Sequence, residues 1–422
     1  MNNPATFPTI RTEIAGISVL ELARCFETPT YIYDADKILE RIEDLRQFDV
    51  IRYAQKACSN LAILDLVRRH GVLVDAVSGG EIYRAQAAGF PTTGTPPPIV
   101  FCADLFDRRA LEYVTNLDIH VNVGSSDMIQ QLGQTVTEGN ISLRINPGFG
   151  HGHSQKTNTG GDHSKHGIWH HELQSCLQLA RRNGLTVTGL HMHIGSGSDF
   201  EHLAQVCGAM EKCALVVGSE LNSISAGGGL PIPYRDGEST LDINRYFELW
   251  NATRNRLQET FDHPVSLEIE PGRYLSAEAG YLITEVRAIK KMGENTFYLV
   301  DAGFNDLARP IMYGAYHPIS LTPSDGVADR PSQPVIVGGP LCESGDIFTQ
   351  QEGGLVCTRE LPAANVGDLL VIECAGAYGF VMASNYNSKT LAAEVLVKNQ
   401  QPHLIRSRQT ESDLIRDERI PS

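Results

Sequence analysis

Between residues 50 and 270 the chain repeats one pattern, a short aliphatic and β-branched run followed by a stretch whose apolar residues fall at helical spacing. The runs lie at 51–53, 73–77, 99–101, 119–123, 141–145, 187–193, 222–226 and 265–270, and helical spacing is plain at 81–88, 108–113, 173–180 and 203–217. Such alternation dictates parallel strands, because each crossover helix returns the chain to the edge where the previous strand began. Eight such units, spread over about 250 residues, predict a closed (β/α)8 barrel of the TIM type spanning 29–275. An open doubly wound sheet is the alternative, needing only one strand gained or lost.

Past residue 276 the strands lose their helices. Runs at 281–289, 296–300, 334–338, 368–374 and 391–397 predict a separate, mostly β C-terminal domain over 276–422, with a Pro-rich surface loop at 322–333 and a charged tail from Arg406 that has room for one short helix. Residues 1–28, which end at Thr28-Pro29, form an N-terminal segment expected to pack with the β domain.

The 422 residues carry 50 acidic against 35 basic side chains, a net charge of -15 that opposes binding to nucleic-acid phosphates. No apolar run reaches the length of a membrane span, and the N-terminus lacks the basic start and apolar core of a signal peptide, so a cytoplasmic protein is expected. Nine cysteines occur without a Cys-x-x-Cys pair, and Cys207 and Cys213 share an apolar helical face with Leu203, Met210 and Val217, the pattern of reduced core thiols.

In a barrel, chemistry gathers at the carboxyl ends of the strands. Lys56 stands at the end of the first, inside Tyr-Ala-Gln-Lys-Ala-Cys-Ser-Asn at 53–60. The sixth ends in Gly-Leu-His-Met-His-Ile-Gly-Ser-Gly at 189–197, where alternation puts His191 and His193 on one face. The seventh is followed by Gly227, Gly228 and Gly229, whose backbone N–H groups can close on an anion. The eighth leads into Glu268-Ile-Glu-Pro-Gly-Arg at 268–273, which supplies Glu270, Gly272 and the forked cation of Arg273. Taken singly, a lysine is usually a solvated charge and a glycine triplet a flexible loop. Four such groups, all at strand ends, are instead what a pyridoxal phosphate enzyme requires: an amine for the Schiff base, a phosphate cradle, a ring partner and a carboxylate for the pyridine nitrogen. Six histidines between 151 and 171 invite a metal reading, but their glycine-rich spacing suits a loop and no metal is expected.

These stretches, with Gly-His-Ser-Gln-Lys-Thr-Asn-Thr-Gly-Gly at 152–161, Asp-Ala-Gly-Phe-Asn-Asp-Leu at 301–307 and Leu-Cys-Glu-Ser-Gly-Asp at 341–346, resemble the barrel-type pyridoxal phosphate decarboxylases. Within that family the match is to the bacterial group acting on diaminopimelate, over almost the full length. The resemblance implies a fold-type III, alanine racemase-like architecture that decarboxylates meso-2,6-diaminopimelate to L-lysine and CO2, the last step of lysine biosynthesis. It implies Lys56 as the Schiff-base lysine, His193 stacked on the cofactor ring, Ser196, Gly227, Gly228, Gly229 and Tyr378 at the phosphate, and Glu270 at the pyridine nitrogen. Arg273, Arg309, Tyr313 and Glu343 would meet the substrate's far end, and Cys342 would return a proton to the product. It also implies a homodimer with shared sites, Cys342 and Glu343 reaching the neighbouring subunit. Two rivals remain: a decarboxylase of the same fold for D-lysine or D-ornithine, opposed by Arg309, and a noncatalytic cofactor-binding protein, opposed by Cys342, Glu343 and the whole β domain. The proline-rich loop 92–98 and the stretch 379–383 depart from the family's pattern, touching no residue assigned a role.

Overall fold

The structure, a computed structural model, describes residues 4–150, 160–193 and 199–421. The chain forms two compact units, one of residues 39–231 and 241–275, the other of 1–38, 232–240 and 276–422.

The first unit is a ring of parallel strands: β1 (Val50–Ala54), β2 (Leu73–Ala76), β3 (Ile99–Ala103), β4 (His120–Val123), β5 (Gly139–Asn146), β6 (Leu185–His191), β7 (Ser223–Ser225) and β8 (Ser266–Ile269). β8 pairs with β1 through Glu268↔Val50 and Ile269↔Ile51, which closes the ring and rules out the open sheet. The helices start where side chains accept the amide protons that a first helical turn leaves unpaired: Asn60, Ser78, Asp107 and Ser125 cap the four helices after β1 to β4. The 19-residue helix Ile243–Phe261 escapes the hydrophobic pattern because it buries only a narrow stripe, Tyr246, Trp250, Thr253 and Leu257, on an otherwise polar surface.

Branched aliphatic side chains usually fill a barrel of this size. Here much of the interior is polar: Asn122, Asn140, Ser142, Ser223 and Ser266 help line a cavity of about 560 Å³. Arg52, on β1, is only 1% exposed there. Its Nε and Nη2 donate to Glu268 Oε2 at 3.3 and 3.1 Å, and its Nη1 donates to the carbonyl of Pro97 at 2.7 Å, so no donor group is stranded.

The second unit is built on a long strand, β9 (Gly280–Met292), which pairs antiparallel with β10 (Asn295–Val300), with β14 (Leu369–Ile372) and with the strand Thr30–Asp34. Between them in sequence come β11 (Ile319–Thr322), β12 (Ser332–Gly338) and β13 (Arg359–Pro362), and after them β15 (Ala393–Lys398) and β16 (Gln401–Arg406). The pattern assigns residues from 29 onward to the barrel, whereas Thr30–Asp34 joins this sheet between β9 and β15. A run such as Thr-Tyr-Ile-Tyr reads alike in either sheet, and only its partners distinguish them. Ile14, Ile17, Val19 and Leu22 pack with Ile32, Ile283, Val371 and Val395 in one apolar cluster, which anchors the N-terminal segment in this unit.

Removing Arg52 would strand the Glu268 carboxylate inside the barrel. We expect Arg52→Met to lower stability by about 3 to 5 kcal/mol, the cost of breaking a buried pair. Denaturant unfolding followed by fluorescence measures it, and a loss under about 1 kcal/mol would mean that the cavity hydrates Glu268 unaided.

Candidate active site

Lys56 occupies the middle of a short 3-10 turn, Gln55–Ala57, directly after β1. The residues on either side anchor the turn. Gln55 is fully buried and its Nε2 donates to the carbonyls of Asp75 (2.8 Å) and Glu81 (3.2 Å). Ala57 lies against Gly272, where an added Cβ would come within 3.3 Å of both Ala57 and Ala54. The exposed Lys56 is thereby presented at the carboxyl end of the barrel by a turn that cannot easily move.

The carboxylate expected at the end of β8 is Glu270, and it is buried. Its Oε2 meets His191 Nε2 at 2.8 Å and its Oε1 accepts from the Ser225 hydroxyl at 2.8 Å. Burial alone would raise its pKa, but the charge and hydrogen bond of His191, the Ser225 hydroxyl and the Arg52 cation together push it far below the usual carboxylate range. Asp75, at the end of β2, shows the opposite balance. Burial drives it up to about 7, against the pull of Lys56 and with the repulsion of Glu270 and Glu81 added. Of two carboxyl groups in one interior, Asp75 thus titrates around neutrality while Glu270 stays ionised.

Gly227 and Gly229 take φ values of +63° and +90°, open to glycine at little cost. Gly228 donates its N–H to His193 Nδ1 at 2.8 Å, and a Cβ on it would lie 2.4 Å from the Glu270 carbonyl oxygen. The turn therefore sits flush against the ends of β6 and β8. His193, half-buried, is kept neutral by desolvation and by the nearby positive charge of Arg144 and Lys56, which lower its pKa well below the ordinary value. Its ring lies nearly parallel to that of His191, 12° apart with centroids at 6.4 Å.

Of the expected site residues, the barrel unit holds Lys56, His193, Gly227, Gly228, Gly229, Glu270, Gly272 and the half-buried Arg273, which opens the helix Arg273–Ser276. Ser196 lies outside the described residues. Within the β unit, Arg309 and Tyr313 begin and end one short helix. Arg309 is buried, its Nη1 donating to the Tyr234 hydroxyl (3.1 Å) and to His317 Nε2 (2.9 Å). Cys342 and Glu343 are exposed, with the Cys342 N–H donating to Asn387 Oδ1 at 2.7 Å. Tyr378 is half-buried at a φ of +57°.

Asp75, Arg144, Ser225, Tyr234 and His317 were not foreseen as site residues. Asp75 carries a faint signal, an acidic side chain within the apolar run 73–77. The others come into place only through tertiary packing. Cys102, His191 and Glu270 bring potential ligand atoms within 4.8 Å of one another. Burial pushes the Cys102 thiol up to about 12, so at neutral pH it faces the pair as a neutral thiol.

Residues 35–277 match the family model of the pyridoxal binding domain of pyridoxal-dependent decarboxylases. The chain is 54% identical over 406 residues to the diaminopimelate decarboxylase of Escherichia coli K12, covering 96% of this chain and 97% of that one. It is 55% identical over 396 residues to the diaminopimelate decarboxylase of Streptomyces coelicolor, covering 93% and 90%. A crystal structure of diaminopimelate decarboxylase superposes with a TM-score of 0.92 at 55% identity, over 94% of this chain and 95% of that one.

A carboxyl whose pKa rises on folding binds its proton more tightly in the folded state, so its contribution falls as pH climbs from the unfolded value near 3.8 towards 7. Asp75→Asn should remove that loss. In cofactor-free protein its stability relative to the parent should increase across that window, and an advantage that does not change with pH would show that Asp75 ionises normally.

Proposed function

Since the chain belongs to the pyridoxal-dependent decarboxylases, we propose that the groups described above hold pyridoxal phosphate and that the protein uses it to convert meso-2,6-diaminopimelate to L-lysine and CO2. The observation that carries this reading is Glu270: a carboxylate kept ionised inside a barrel, with a glycine turn packed against its own backbone. The cofactor's ring nitrogen needs such an anion and its phosphate needs such a turn, and a Cβ at Gly228 would obstruct the cradle. The relatives supply the substrate.

Bound there, pyridoxal phosphate supplies an electron-withdrawing ring that takes up the electron pair left when carbon dioxide departs. Lys56 is assigned the amine that holds the cofactor and is displaced by the substrate's own amine. His193 is assigned the ring face, and its neutral state spares the ring a second positive charge. Ser196, the amides of 227–229, Gly272, Arg273 and Tyr378 are assigned the phosphate end. Cys342 is assigned the proton donor that completes the product.

Arg309, Tyr313, Arg273, Tyr378 and Glu343 are assigned to the substrate. Arg309 begins from a fixed geometry. His317 Nδ1 pairs with the Glu373 carbonyl at 3.0 Å, leaving Nε2 to accept from Arg309 Nη1, so the guanidinium's remaining edge can meet a carboxylate in paired bonds. The exposed Cys342 and Glu343 suit a homodimer in which each subunit completes its neighbour's site. No helix among the described residues is long and apolar enough to cross a membrane, and we assign the enzyme to the cytoplasm.

Arg309→Ala should lose about 2 to 5 kcal/mol of transition-state binding for diaminopimelate, and far less for D-lysine, which lacks the distal carboxylate. The ratio of kcat/KM for the two substrates in parent and variant measures this, because a general loss of folding or cofactor cancels. Equal losses would remove Arg309 from substrate recognition. For the shared site, mixing inactive Lys56→Ala and Cys342→Ala subunits should restore part of the activity. No recovery, with subunit exchange demonstrated separately, would mean that each chain completes its own site.

A further inference from the structure

His191 carries no assignment in the proposed reaction, although it is buried and touches the central carboxylate. It ends β6, and its Nε2 stands 2.8 Å from Glu270 Oε2. The other carboxylate oxygen is held by Ser225, whose Oγ also accepts from the N–H of Gly227 at 3.1 Å, so carboxylate and glycine turn share one anchor. A carboxylate only accepts, so His191 Nε2 carries the hydrogen. That leaves Nδ1, which is buried with no partner among the described residues, as is Asn122 Oδ1. Both residues line the polar interior cavity, roomy enough for water to reach such atoms.

We propose that His191 is the positioning residue that keeps Glu270 ionised and aimed at the cofactor's ring nitrogen, bonded to the carboxylate on one side and hydrated from the barrel cavity on the other. This rests on the assignment of Glu270 to that nitrogen. Ser225 cannot substitute, being a single neutral donor. The charged and titratable groups around the pair are Arg52 on β1, Lys56 after it, Asp75 on β2, Cys102 on β3, His120 on β4, Arg144 on β5, His193 after β6 and Glu268 on β8. Burial is the largest influence on Glu270, and it favours the neutral acid. Without His191, Arg52 and Ser225 must offset that burial alone, and a carboxyl that takes up a proton can no longer hold the ring nitrogen in its charged form.

The test loads pyridoxal phosphate onto the parent protein, His191→Phe, His191→Gln and Glu270→Gln, and follows the bound cofactor's absorbance and affinity against pH. His191→Phe should show a titration that the parent lacks, somewhere between about pH 5 and 9, the range reached by buried carboxyls deprived of partners. Below that titration it should match Glu270→Gln, with cofactor binding at least about tenfold weaker than in the parent, as when a charge-assisted bond becomes a neutral one. Above it, it should match the parent. His191→Gln, whose amide can donate from nearly the Nε2 position but brings no positive charge, should move that titration part of the way back towards the parent profile. If His191→Phe does not load, His191→Asn, whose shorter amide falls short of Glu270, takes its place with the same expectation. A His191→Phe profile matching the parent throughout, with Glu270→Gln altered, would overturn the role of His191 and leave Glu270 at the nitrogen. A Glu270→Gln profile identical to the parent would overturn the assignment of Glu270 itself.

Discussion

An ionised carboxylate buried in a protein interior is costly, by several kcal/mol even after relaxation, unless its surroundings hold it. The barrel meets that cost at Glu270 with an imidazole N–H, a serine hydroxyl and a nearby guanidinium, each from a different strand. The arrangement therefore requires β1, β6, β7 and β8 to be in register at once. Closure of the ring supplies it, and the β8–β1 pairing that closes the barrel also brings Arg52 to Glu268, two residues from Glu270.

The same demand explains an interior that would otherwise look poorly built. Small polar residues replace the usual branched packing along the inner faces of β4, β5, β7 and β8, leaving room for solvent. Dry aliphatic packing would contribute more to stability but would strand Arg52, His191 and Glu270 without hydration. Some packing energy is given up so that two carboxyls of one interior titrate far apart: Asp75 is pushed up to about 7, and Glu270 is held far below the usual carboxylate range. Tuning two carboxyls apart in this way is a common device of acid–base sites.

Much of this was legible in the chain. The eight strand runs are local events of hydrophobic pattern, and each holds a barrel strand. Lys56, His193, the glycine triplet and Glu270 could be placed at strand ends from the pattern alone, and the structure has them there. What stayed hidden depends on partners distant in sequence. Thr30–Asp34 looks like any β-branched run until β9 and β15 claim it. His191 was visible through alternation as a neighbour of His193, but its use depends on Glu270, 79 residues away. Asp75 reads as an acidic interruption of an apolar run until β1 and β3 pair on either side of its strand. The helix Ile243–Phe261 shows too narrow an apolar stripe to be read at all.

This barrel removes a carboxyl group from diaminopimelate. Purified protein supplied with pyridoxal phosphate and meso-diaminopimelate should release carbon dioxide and L-lysine in equal amounts, and should turn over D-lysine far more slowly under the same conditions. Failure to form lysine from meso-diaminopimelate by protein that has bound the cofactor, or a preference for D-lysine, would contradict the account.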